Sequence, residues 1–183
     1  MNQGRCRKLE TELRAMLGEH FDDLEVTVEK NPRWNRMSAT FVWDGFAGLL
    51  PEERFQRLAA VIPEEFRATH LAGFVWLELS PGESVDAFLK RPRSEDVEPR
   101  EAQVYNGLTR AGFFEELSKS LGRSPKKKCQ GDFSTTVEIL RAKKYSASKL
   151  QDARLLFIRY GAYCDCQALE SVAPELAERH AAE

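Results

Sequence analysis

The sequence predicts an α+β domain built on a three-stranded sheet, followed by a mostly α-helical domain. Three observations carry that reading. Residues 5–90 mix strand-like alternation with helical spacing, whereas residues 99–183 show helical spacing alone. Between them KRPRSEDVEPR (90–100) is polar and holds two prolines. Charge changes sign at the same place. Residues 1–98 carry 13 Lys and Arg against 18 Asp and Glu, a net −5; the remainder carries 14 against 11, a net +3. The expected boundaries are 5–92 for the first domain, 93–98 for a linker and 99–183 for the second domain.

The first element is a helix over 5–21, whose apolar stripe is Leu9, Leu13, Met16, Leu17 and Phe21, with Gly18 weakening its end. LEVTVEK then alternates, putting Leu24, Val26 and Val28 on one face of a strand. NPRWN reads as a turn and MSATFVWDG as a second strand, so the two form a hairpin. PEERFQRLAAVI is helical, with Phe55, Leu58, Ala59 and Ile62 on one side and Pro51 in the first turn, where its missing N–H costs nothing. Pro63 opens a short second helix, PEEFRA. LAGFVWLELSP is an apolar third strand, and SVDAFLK a helix capped by Ser84. The resulting order is α-β-β-α-α-β-α.

GFAGLLPEERFQRLAAVIPEEFRATHLAGFVWLELSPGES, preceded by a helix and a hairpin, resembles the BolA-like family across roughly residues 5–90. Phe46-Ala47-Gly48 matches the family's Phe-x-Gly, Arg54 its helix Arg, and His70 the His that precedes its last strand; Phe55 stands where the family has a second His. The resemblance implies a fold similar to a type II KH domain. It also implies a non-enzymatic adaptor that meets a monothiol glutaredoxin around a shared [2Fe-2S] cluster, with His70 as ligand. Phe46, Gly48, Arg54 and His70 are the partner-binding positions it suggests. The hairpin loop NPRWNR offers neither the His nor the Cys that the family uses as second ligand. Independently of the resemblance, Arg54 suits a structural role, its stem over the sheet and its head on a carboxylate.

In the second domain Val104, Leu108, Ala111, Phe114 and Leu117 predict one helix over 99–121. A basic loop, GRSPKKKCQGDF, follows. Thr135 with Glu138, and Ser148 with Gln151, read as capping boxes opening two further helices, the second stopped by Gly161. YCDCQALE leads into a last helix, SVAPELAERHAAE, with a frayed end. The combination of Cys129, Gly161, Cys164, Asp165 and Cys166 resembles a small bacterial family of uncharacterised domains that end in Gly-x-x-Cys-Asp-Cys-Glu; Gln167 replaces the usual Glu. That resemblance implies no activity.

The three thiols support three readings: a metal site, a redox pair, or small side chains packed around a turn. Zinc with Cys129, Cys164 and Cys166 needs a fourth ligand, for which Asp165, His180 or water are candidates. Asp165 is positioned to cap a helix starting at Cys166, whose thiol would then feel the helix dipole. A shared site is expected to be a structural staple rather than a catalytic one. Lys126, Lys127 and Lys128, joined by Lys143 and Lys144, define an alternative role as a nucleic-acid-binding regulator. No nucleophile–base motif, P-loop or dinucleotide fingerprint occurs, which argues against an enzyme. The 42% apolar and 31% charged composition is that of a globular protein, and no apolar run reaches the roughly 20 residues that span a bilayer. The charged N-terminal stretch lacks a signal core, so a cytoplasmic protein with reduced cysteines is expected.

Overall fold

The computed structural model describes residues 3–181. It is mixed α+β, with one three-stranded sheet among the described residues. The chain divides between Pro92 and Arg93 into two compact units. No helix among the described residues is long and apolar enough to cross a membrane.

The first unit opens with α1 (Gln3–Leu17), followed by β1 (Glu25–Asn31) and β2 (Arg36–Val42). The hairpin turns on Asn31, whose Oδ1 accepts the Arg33 N–H at 2.9 Å, and on Asn35 in the left-handed region. β2 leads through α2 (Pro51–Val61) and α3 (Glu64–His70) to β3 (Val75–Leu79). The strand order is β1-β2-β3, the first pair antiparallel and the second parallel. A parallel pair needs a long crossover, which the two helices supply.

Period-two alternation places Val26 and Val28 beside Ala39 and Phe41, and α1 covers this face with Leu9, Leu13 and Leu17. Leu58 and Ile62 of the crossover join the same core. α4 (Val85–Leu89), capped by Ser84 Oγ accepting from the Ala87 N–H, brings Phe88 against Leu77 and Leu79. One apolar expectation changes here. Phe55 is 39% exposed and lies edge-on to Trp76, outside the buried stripe of α2. Trp43 closes the end of the sheet, its Nε1–H donating to the Asp22 carbonyl and its ring between Phe21 and Phe46.

Arg54 is wholly buried and ties three segments together. Its guanidinium donates to the carbonyls of Leu49 and Glu78 and to the Glu83 carboxylate, while Arg91 binds the other Glu83 oxygen. This is the structural role anticipated for Arg54. It removes Arg54, and the equally buried Phe46, from any partner-binding surface. Gly48 remains exposed, with φ 74°.

In the second unit the segment expected as a linker is folded. Ser94–Arg100 is a 3₁₀ helix whose Val97 is fully buried. The single helix expected over 99–121 is two, α5 (Glu101–Arg110) and α6 (Phe113–Leu121), interrupted at Gly112 in the left-handed region. Next come α7 (Pro125–Lys128), α8 (Ser134–Ala142) and α9 (Ala147–Arg159). α9 is the centre of this unit: Ala153, Leu155, Leu156, Phe157 and Ile158 are all buried, a pattern only a surrounded helix can satisfy. Its cap is Ser146, accepting from the Lys149 N–H, and not Ser148. α10 (Asp165–Gln167) passes through one π turn (Ala168–Val172) into α11 (Ala173–Ala181). The frayed end expected at 182–183 lies outside the described residues. Glu101 binds this last helix to the unit, accepting from Tyr160 Oη–H and pairing with Arg159 and Arg179.

Glu83 supplies a prediction for the first unit. Burial alone would raise its pKa, but the Ser80 N–H, Arg54 and Arg91 outweigh burial and hold it at about 2, against an ordinary 4.5. Its contribution to stability is therefore complete above about 4.5 and is lost as pH falls toward 2. Glu83→Gln should lower the stability of this unit by about 3–5 kcal/mol, because Arg54 is left buried without its counter-charge. It should also make the acid side of the stability profile shallower. Urea unfolding followed by tryptophan fluorescence is a direct readout, since Trp34, Trp43 and Trp76 all lie in this unit.

Candidate metal centre

Two separate segments of the second unit bring three thiols to one point. The first begins at α7, started by Pro125 and closed by the Cys129 N–H donating to the Pro125 carbonyl at 2.9 Å. The chain then turns, with Asp132 Oδ1 accepting the Ser134 N–H, and Phe133 packs against Phe157 of α9 with ring centres 5.9 Å apart. Cys129 thus stands between a helix end and a side chain locked into the core.

The second segment leaves α9 through a glycine stop. Gly161 has φ 79°; its N–H donates to the Ile158 carbonyl and the Ala162 N–H to the Phe157 carbonyl, the paired bonds of a left-handed helix ending. Cys164 is extended, and α10 begins at the next residue. Gln167 Oε1 accepts the Tyr163 N–H at 2.8 Å, an acceptor role open to Gln as well as to the Glu usual at this motif position.

Asp165 joins the two segments. Its backbone N–H donates to the Asp132 carbonyl at 2.9 Å. Its carboxylate is fully buried: Oδ2 accepts the Thr135 N–H at 2.8 Å, and Oδ1 accepts the Thr136 N–H at 2.9 Å and the Thr136 hydroxyl at 2.6 Å. Asp165 therefore caps α8 rather than the helix that starts beside it. The Thr135–Glu138 capping box does not form, because the cap comes from another part of the chain. Thr136 and Asp132 are the residues that sequence reasoning missed. Their only local signal is a polar DFSTT run ahead of an apolar helix.

The result is a cluster in which the Sγ atoms of Cys129, Cys164 and Cys166 all lie within 4.8 Å of one another. Cys164 and Cys166 are 3.4 Å apart. Thiolates on one tetrahedral zinc stand roughly 3.8 Å apart, given Zn–S bonds of about 2.3 Å, so the spacing suits a single ion. It is the only such group of metal-ligand side chains among the described residues.

Burial pushes the Cys164 thiol up to about 12 and raises Cys166 as well, the neighbouring Cys129 adding to both shifts. Burial also acts against ionisation of Cys129, but the backbone N–H groups of Cys166 and Gly131 donate to its sulfur, and the net shift is downward. The helix-dipole expectation is thereby corrected. The favoured thiolate is Cys129, which receives the N–H of Cys166, rather than Cys166 itself. Two buried thiols with raised pKa values are poor nucleophiles, which weighs against a redox cycle.

The expected fourth ligands are placed elsewhere. Both oxygens of Asp165 are committed to α8. His180 stacks on Tyr105 with ring centres 4.8 Å apart and lies beside Glu101. His70 is the last residue of α3, exposed, its ring against Phe66. It does not stand directly before β3, because a turn over 71–74 intervenes. Among the candidate nucleic-acid contacts, Lys126 pairs with Glu170, Lys143 with Glu116, and Lys128 donates to the Ser120 carbonyl. Lys144 is exposed with φ 59°.

Comparison with family models, curated proteins and solved structures finds no match to this chain.

Asp165→Asn tests the link between the turn and the thiols. Replacing the buried carboxylate by an amide weakens charge-assisted bonds and turns one acceptor into a donor facing the backbone N–H of Thr135 or of Thr136. The expected loss of stability is on the order of 3 kcal/mol, read as a lower midpoint in thermal unfolding of the reduced protein. Affinity for zinc should fall by roughly 10–100-fold, as when an outer hydrogen-bond partner of a metal site is removed. Unchanged zinc affinity would show that the thiols converge without Asp165.

Proposed function

We propose that this protein is a non-enzymatic metal-handling protein that holds one zinc ion between Cys129, Cys164 and Cys166. The observation that carries this reading is the convergence of three sulfurs from two distant segments within 4.8 Å. Packing alone gives no reason for two backbone N–H groups to be aimed at the Cys129 sulfur, whereas thiolate ligands are regularly supported in this way. Three soft ligands favour zinc or copper(I) over magnesium or calcium. A [4Fe-4S] cluster binds each cysteine to a different iron and a [2Fe-2S] cluster binds only two to the same iron, so neither brings three thiolates as close together as this group does.

Untagged protein purified under reducing conditions should contain one zinc per chain by elemental analysis. Each of Cys129→Ser, Cys164→Ser and Cys166→Ser should reduce that content sharply, while Cys6→Ser should not. Binding must displace protons from Cys164 and Cys166, whose pKa values are raised, so apparent zinc affinity should rise with pH. A protein that neither retains zinc nor rebinds it stoichiometrically would end the proposal.

A second reading concerns the first unit, as an adaptor in iron–sulfur or redox homeostasis that meets a monothiol glutaredoxin through the surface around His70. It is supported by the element order and by the antiparallel and parallel strand pairing, which suit the BolA-like resemblance. The exposure of His70, beside a depression it shares with Arg5, Lys8 and Glu12, supports it as well. Mixing the protein with cluster-loaded glutaredoxin should give a complex whose visible spectrum changes on His70→Ala. A complex and spectrum indifferent to that substitution would remove His70 from the role.

A further inference from the structure

Zinc sites that serve the fold are closed by four protein ligands, so three sulfurs call for one more donor. Asp165 does not supply it, because both of its oxygens are held by α8. His180 is engaged with Tyr105 and Glu101. Glu170 is a third candidate. It lies in the π turn that follows α10, four residues after Cys166. Residues four apart on a helix share a face, and side chains lean toward the helix N-terminus. Glu170 therefore projects back over the turn that carries Cys166. Its charge is felt there, since the carboxylate adds to the upward shift of the Cys166 thiol. A π turn is also an irregularity frequent at functional sites.

Lys126 marks the other side of the cluster. It stands on α7, three residues before Cys129, and its ammonium lies 3.8 Å from Glu170 Oε2. This pair joins the two segments whose thiols converge, about one helical turn from a sulfur on either side. With that oxygen toward Lys126, Glu170 stands outside the group of sulfurs that lie within 4.8 Å. The hold is weak, because a 3.8 Å pair between side chains 81% and 38% exposed contributes little. Rotation about the Glu170 side-chain bonds can exchange Lys126 for a metal ion at small cost.

Resting on the zinc reading above, we infer that Glu170 is the fourth ligand, closing a site of three thiolates and one carboxylate, and that it selects zinc over copper(I). Zinc accepts a carboxylate oxygen beside thiolates in one tetrahedron. Copper(I) is softer; three thiolates satisfy it, and a hard oxygen adds little. Glu170 is thus the residue that separates the two ions a three-cysteine group would otherwise accept. Zinc with these four ligands carries two net negative charges, which Lys126 offsets in part.

Anaerobic titration of the full-length reduced protein against competing chelators, with zinc and separately with copper(I), reads the split. Glu170→Gln should weaken zinc binding at least about tenfold and leave copper(I) binding unchanged. Because Glu170 is exposed, the thermal midpoint of the metal-free protein should not move. Cobalt(II) in place of zinc makes the ligands visible. The wild type should show the bands of tetrahedral cobalt and a thiolate-to-cobalt charge-transfer band. Glu170→Cys should strengthen the charge-transfer band by roughly one third, four thiolates standing in place of three, and should restore the zinc affinity lost in Glu170→Gln. Lys126→Ala should leave zinc affinity within about threefold. Unchanged zinc affinity in Glu170→Gln, or a cobalt band in Glu170→Cys no stronger than that of the wild type, would overturn ligation by Glu170 while leaving the three-cysteine site intact. A loss on Lys126→Ala as large as that on Glu170→Gln would assign the effect to the ion pair and overturn ligation as well. Equal losses of zinc and copper(I) would overturn the selectivity. Wild-type protein that binds no zinc would instead remove the zinc reading, and this inference with it.

Discussion

The helical unit depends on one buried carboxylate. Asp165 is completely withdrawn from water, and a carboxylate in that position is tolerable only when its oxygens are filled with donors. The first turn of α8 provides them: two backbone N–H groups that a helix leaves unpaired, together with the Thr136 hydroxyl. One interaction thus satisfies the start of one helix and fixes the start of another. Because Asp165 lies between Cys164 and Cys166, it also sets where both thiols point. The convergence of the thiols is a by-product of how α8 is capped.

The α+β unit uses the same device with the opposite sign. Arg54 is buried to the same degree; its Nε donates to the Leu49 carbonyl and its Nη1 to the Glu78 carbonyl and to Glu83, while Nη2 has no hydrogen-bond partner among the described residues. These partners come from the loop before α2, the end of β3 and the turn before α4, so a single guanidinium fixes the crossover against the strand it leads to. In both units a buried charge joins elements that apolar packing alone would leave free to slide. Apolar contacts are non-directional; a charge with several donors or acceptors accepts one arrangement.

The chemistry of the cluster follows from that rigidity. Cys164 and Cys166 are buried because the turn bearing them is pulled onto α8, and burial keeps their protons on until something more favourable than water replaces them. Cys129 is less buried and receives two backbone N–H groups, from Cys166 and Gly131. An arrangement with one thiol predisposed to ionise and two that ionise on demand suits a metal ion, which supplies the charge that two buried thiolates lack. It suits a disulfide cycle poorly, since thiols with raised pKa values are slow both to attack and to leave.

By itself the sequence determined what is local. Alternation in LEVTVEK and MSATFVWDG gave β1 and β2; spacing of three and four gave the helices. Pro51, Ser84 and Gly161 acted where their own backbone chemistry dictates. The presence of three thiols in the second half and the role of Arg54 on a carboxylate were also legible. Tertiary structure alone decided whatever required a partner distant in sequence. Asp165 caps α8 because the chain returns there after α9, and no pattern around Asp165 or Thr135 encodes that meeting. Ser94–Arg100 folds rather than links because Val97 finds a core, although its composition reads as a spacer. Phe55 surfaces because Trp76 meets it at the sheet edge, and His70 is held in α3 because the helix runs on to that residue. Side-chain periodicity reports which face of an element is apolar. Which other element that face meets, and which buried charge finds which donors, is fixed only when the whole chain closes.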